Sequence, residues 1–81
     1  MQKNSFRYLV FSEIHGSRRA YGVIVAPSSS PQPRAIVRAV THCRTCAQLL
    51  RSTLEYHAVY PEHARDVLRD LTRELHHKRQ P

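Results

Sequence analysis

No run in this 81-residue chain reaches the roughly 18 consecutive apolar residues that a membrane-spanning helix needs. The apolar run at residues 8–11 follows Lys3 and Arg7 but is too short for the core of a signal peptide. Tryptophan is absent, so any core must rest on leucine, valine, isoleucine and a few aromatics. The two cysteines stand three positions apart and do not make the disulfide framework of a small secreted domain. These absences point to a cytoplasmic protein with reduced thiols and no membrane partner. Acids are scarce: 6 against 13 lysines and arginines, for a net charge of +7. Four of them (Glu62, Asp66, Asp70 and Glu74) crowd into one C-terminal segment. There is no glycine-rich phosphate loop, and no Ser or Cys is set apart beside a base held by a third group. The chain therefore reads as non-enzymatic.

What is present is clearest at residues 61–75, PEHARDVLRDLTREL. Ala64, Val67, Leu68, Leu71 and Leu75 recur at the spacing of one helix face. Pro61 suits the first helical position, and Glu62 meets the positive end of the helix dipole. Acids precede bases by three residues at Glu62–Arg65, Asp66–Arg69 and Asp70–Arg73. Each such pair is worth about 0.2–0.5 kcal/mol, and together they describe a self-neutralised, solvated face. The apolar stripe opposite has to dock on the rest of the chain or on a partner.

Upstream, residues 5–14 are rich in β-branched and aromatic side chains and read as a strand. Tyr8, Val10 and Ile14 share a face with Phe6, and Leu9 and Phe11 take the other. Residues 15–19, HGSRR, are a turn with Gly16 as its left-handed residue. Residues 20–26 are a second strand, antiparallel to the first, in which Gly22 marks a bulge or a close contact with a helix. The Pro/Ser segment 27–33 is a mobile connecting loop.

Residues 34–40, RAIVRAV, fit two templates. The β-branched residues favour a third strand. A helix also fits, because Ile36, Val40, Cys43, Ala47, Leu50 and Leu54 step by threes and fours. On the strand reading, Thr41 caps a helix over about 42–56 with Cys46, Ala47, Leu49, Leu50 and Leu54 inward. The short link 57–60 then leads to a second helix over about 61–77, and 76–81 form a flexible basic tail. The fold expected is one α+β domain spanning 1–81, a three-stranded antiparallel sheet packed on one face by a helical hairpin. Leu9, Phe11, Ile24 and Val37 would be left on the other sheet face, which suits a homodimer.

Tyr21-Gly22-Val23, with Pro61, His63, Asp66, Val67 and Asp70 opening the last helix, resembles a family of small clostridial proteins of unknown function. The resemblance covers most of the chain and departs from the family at Ala64, where Leu is common, and in its richness in arginine. It implies a β-meander before two helices and a bacterial, intracellular setting. It implies no activity, but gives His63 and Asp66 more weight than surface residues.

Cys43 and Cys46 form a C-x-x-C that extends through His57 and His63 to C-x2-C-x10-H-x5-H, near the spacing of zinc fingers. Three readings stand: two thiols packed as small hydrophobes, a zinc site, or a redox pair with its thiolate stabilised at a helix N-terminus. No cofactor other than that zinc is implied. For the basic excess, residues 1–60 hold eight lysines and arginines against Glu13 and Glu55. A polyanion-binding face would therefore use Arg18 and Arg19 at the hairpin tip, Arg34 and Arg38 on the third strand, and Arg44 and Arg51 on one helix face. Two functions follow. One is an interaction or regulatory module for a protein partner or a second copy. The other is a nucleic-acid-binding module, against which stands the shortage of exposed aromatics for base stacking.

Overall fold

The computed structural model describes the backbone of residues 5–79 and the side chains of residues 5–75. Strands β1 (Phe6–His15), β2 (Arg18–Pro27) and β3 (Ala35–Thr41) precede helices α1 (Arg44–Tyr56) and α2 (Pro61–Arg79). The strands form one antiparallel sheet in the order β1-β2-β3. Both helices pack on one face of it, the α+β arrangement that the hydrophobic patterning requires. It is also the element order that the resemblance implies.

β1 and β2 pair without interruption from Phe6–Pro27 to His15–Arg18, leaving Gly16 and Ser17 alone in the turn. Gly16 has φ 64°, and glycine at the first position of a two-residue hairpin is what a type II′ turn demands. Arg18 and Arg19 therefore belong to β2 and not to the loop. Register brings Tyr8 opposite Val25 and Val10 opposite Val23, facing the helices. The core consists of Tyr8, Val23 and Val25 from the sheet, Leu50 and Leu54 from α1, and Ala64 and Leu68 from α2.

The ambiguous segment resolves as strand from Ala35 to Thr41, with Arg34 just outside it. Val23 pairs with Val37 and Tyr21 with Thr41, so residues 38–40 stand against Gly22 alone. This bulge carries Ala39 at φ 53°, left-handed for a residue with a Cβ. It also explains Gly22. A Cβ there would lie 2.6 Å from Phe11 Cζ and run into the Val37 carbonyl, so the close approach comes from β3 and β1, not from a helix.

Two sequence expectations are displaced along β3 and at its end. Val37 faces the helices and Ile36 takes its place on the outer face, beside Ile24 and Leu9. Thr41 is held extended in the ladder, so Cys43 and not Thr41 caps α1. The Cys43 Sγ accepts from the Cys46 N–H at 3.3 Å, while the Thr41 hydroxyl accepts from the Cys43 N–H at 3.2 Å. Leu49, expected in the core, is 53% exposed, because α1 turns Ala47, Leu50 and Leu54 inward.

The link between the helices is tightly specified. Val59 N–H donates to the Leu54 carbonyl (3.0 Å) and Ala58 N–H to the Glu55 carbonyl (3.1 Å). With Ala58 at φ 51° this is a Schellman ending, with alanine where glycine is usual. The Tyr8 hydroxyl donates to the Val59 carbonyl at 2.8 Å, and the rings of Phe6 and Tyr60 meet edge to face at 5.6 Å. The Pro/Ser segment is tied to β1: Ser28 N–H donates to the Ser5 carbonyl (3.0 Å) and the Arg7 guanidinium to the Ser30 carbonyl (3.0 Å). Pro27 itself closes β2. α2 continues to Arg79, so residues 76–79, expected in a flexible tail, have helical backbone. The rest of that tail and the first four residues lie outside the described residues.

Candidate interaction groove

α1 lies over β1 and α2 over β3. Where α2 meets β3 the two elements enclose an open groove of about 720 Å³. One wall is Ile36, Val37, Arg38, Ala39 and Val40 of β3. The other is Arg65, Leu68, Arg69, Thr72 and Arg73 of α2. Leu68 is fully buried, Val37 and Val40 are half-buried, and Ile36 is exposed.

Four arginines thus border an apolar trough. Arg65, Arg69 and Arg73 share a stripe because residues four apart return to nearly the same side of a helix. Glu62, Asp66, Asp70 and Glu74 lie further round, and none of them lines the groove. The expected three-residue acid–base pairs of α2 do not form. Among the described residues the ion pairs are Arg38–Glu13 (3.3 Å), Arg51–Glu55 (2.7 Å) and His15–Glu13 (2.9 Å). Acid and base three apart are turned by roughly 60° about the axis, and these arginines keep to the groove side instead. The helix that looked self-neutralised turns its three arginines toward one groove and its acids away from it. The Thr72 hydroxyl donates to the Leu68 carbonyl of its own helix at 2.7 Å, so it offers the groove little beyond its methyl group. No histidine, cysteine, serine or carboxylate lines the trough.

Of the arginines expected on a polyanion face, only Arg38 belongs to this groove. Arg19 and Arg44 border a separate hollow of about 300 Å³ with Val10, Ser12, Tyr21 and Gln48, and the Arg19 guanidinium donates to the Ser12 hydroxyl at 3.1 Å. Arg18 is exposed beside the turn and Arg34 just before β3. Arg51 is held by Glu55 on its own helix, which offsets its charge. The six do not form one face. Arg65, Arg69 and Arg73 were missed because their segment was judged by its net charge. Their four-residue spacing beside Leu68 was the signal.

The zinc set Cys43, Cys46, His57 and His63 is not brought together. Cys43 and Cys46 stand at the N-terminal end of α1 and His57 caps its C-terminal end. At about 1.5 Å per residue the two ends are roughly 20 Å apart. Among the described residues, no three histidine, cysteine or acidic side chains cluster in a way that could hold a metal ion. Both cysteines are half-buried, Cys43 as the cap of α1 and Cys46 in its first turn; His57 is exposed, with its ring edge to face on Tyr56 at 5.0 Å. His63 and Asp66 are both exposed on the first turns of α2 and form no ion pair with each other.

Comparison of the chain with protein-family models, with curated proteins and with solved structures finds no match in any of the three.

Proposed function

We propose that the chain is a small non-enzymatic interaction module that holds an acidic partner protein in the groove between β3 and α2. The observation that carries this reading is an apolar trough bordered by three arginines of one helix that make no ion pair among the described residues, with Arg38, paired to Glu13, on the other wall. Unneutralised like charges at four-residue spacing are unfavourable, and an acidic ligand would relieve that cost. The trough offers no general acid, base or nucleophile, which supports a binding role. It also has no aromatic side chain for bases to stack on, which favours a polypeptide over single-stranded nucleic acid. No helix of the described residues is long and apolar enough to cross a membrane. A cytoplasmic, bacterial setting is part of the same proposal.

The outer sheet face is the less suitable docking surface. Its apolar row, Leu9, Phe11, Ile24 and Ile36, is flanked by the Arg38–Glu13 ion pair, which leaves it no charge to select a partner. Nucleic-acid binding is the second reading, favoured by Arg19 and Arg44 around one hollow.

Titration with poly-L-glutamate and with a DNA duplex at low and physiological salt separates the two. Poly-L-glutamate should bind with an affinity that falls with salt, and changing Arg65, Arg69 and Arg73 together to Gln should weaken it at least tenfold. Binding of DNA alone, lost on changing Arg19 and Arg44, would replace this proposal with the nucleic-acid one.

A further inference from the structure

We infer that β3 accepts an extended acidic segment of a partner protein as a fourth strand, with α2 reading its carboxylates. This deepens the groove reading and rests on it. Ile36 and Val37, neighbours before the bulge whose side chains lie on opposite faces of the sheet, both line the groove. A cleft above one sheet face would meet only one of the two, so the groove reaches the edge of β3, the last strand of the sheet. That edge is open. The Val37 carbonyl lies against Gly22, on the β2 side. Alternation therefore turns the N–H and C=O of Ile36 the other way, toward the groove. Among the described residues no hydrogen bond joins Ile36 to another element outside the sheet.

The opposite wall matches a strand in its repeat. Arginines four apart on a helix rise about 6.0 Å per step, and same-side residues of an extended chain repeat at about 6.7 Å. Arg65, Arg69 and Arg73 can therefore meet acids at three alternate positions of one peptide, close to the geometry of strand addition beside a helix. The same charges select the occupant. A second copy adding its own β3 would bring no acid against these arginines, because AIVRAVT carries none and its one cation, Arg38, is already paired with Glu13. An acidic strand is attracted. The bulge at Ala39 ends the regular edge, so the ladder is short and centred on Ile36.

The test uses the full chain and a blocked heptapeptide of alternating Glu and Val, with two N-methylated versions, one methylated on every Glu nitrogen and one on every Val nitrogen. Strand addition turns only one of these N–H sets toward β3. The unmodified peptide should bind and slow exchange of the Ile36 amide at least tenfold. One methylated version should bind about tenfold more weakly, the loss of backbone hydrogen bonds, while the other is little changed. Equal binding of all three peptides, equal weakening of both methylated ones, or no protection of Ile36 overturns strand addition. If poly-L-glutamate still binds in an arginine-dependent way, the groove reading survives that result. If neither polyglutamate nor the heptapeptide binds at low salt, both readings fail.

Discussion

Over β1, α1 closes the sheet; over β3, α2 leaves a trough. On the α1 side, Leu50 and Leu54 are buried and Arg51 is paired with Glu55. On the same side the Tyr8 hydroxyl ties β1 to the inter-helix link, and β1 pairs with β2 along its full ten residues. On the α2 side Pro61, Ala64 and Leu68 are buried, while Val67, Leu71 and Leu75 are half-buried. There β3 is shorter and bulged, and Arg65, Arg69 and Arg73 make no ion pair among the described residues. The α1 half buries its inward leucines and pairs Arg51 within the chain, with Leu49 and Tyr56 left exposed. The α2 half leaves apolar area and charge unsatisfied, which is why the binding surface is assigned there.

The largest test of that contrast is a pair of truncations. Leu54 is fully buried, so Leu54→Ala should cost about 2–5 kcal/mol through lost transfer energy and a cavity. In a domain this small that approaches the whole stability. Leu71, half-buried beside a crevice between the helices, can be replaced by solvent, and Leu71→Ala should cost about 1 kcal/mol. Urea denaturation of both variants measures the difference. Equal losses would mean that the two halves are packed alike.

The second test concerns the tie between β1 and the link. Tyr8→Phe removes a 2.8 Å hydrogen bond and leaves the Val59 carbonyl part-buried, for about 1–2 kcal/mol. The Tyr8 hydroxyl is also pushed above the ordinary tyrosine range, first by burial and then by the nearby Glu55 carboxylate and Tyr60. A raised folded-state value means that the unfolded chain loses this proton first. The stability from Tyr8 is thus complete below about pH 10 and declines as pH rises past the unfolded value toward the folded one. Denaturation midpoints above pH 10 should fall more steeply for the parent chain than for Tyr8→Phe. Parallel curves would show that Tyr8 is not the group responsible.

Much of this was legible in the sequence, and the losses have identifiable causes. β1, β2, their turn at Gly16 and the start of α2 follow from alternation, a left-handed glycine and Pro61, all local signals. Gly22 signalled a bulge, but nothing in RAIVRAV announces that β3 carries the extra residues with Ala39 at positive φ. Which of Ile36 and Val37 faces inward was set by the β2–β3 register, which no local signal in the segment reveals, and Thr41 stayed in the ladder, leaving the α1 cap to Cys43. The zinc spacing failed because a helix placed its two halves at opposite ends. The groove arginines were hidden by charge counting. A helix with balanced charge can still be strongly positive on one side, and only angular position reveals it.

The smallest expected effect isolates the arginines from the fold. Arg65 and Arg69, and Arg69 and Arg73, are like charges four apart, each pair unfavourable by about 0.2–0.5 kcal/mol at low salt. Changing all three to Gln should therefore leave stability unchanged or raise it by a few tenths of a kcal/mol, and the gain should vanish as salt is added. Arg51→Gln, which breaks a made pair on the α1 side, should instead lose about 0.3–0.5 kcal/mol. Opposite signs for the two changes, measured by denaturation at low salt, are the signature of one charge used inside the fold and three held for a ligand. A loss of more than about 1 kcal/mol in the triple variant would make those arginines structural and remove the basis for the groove.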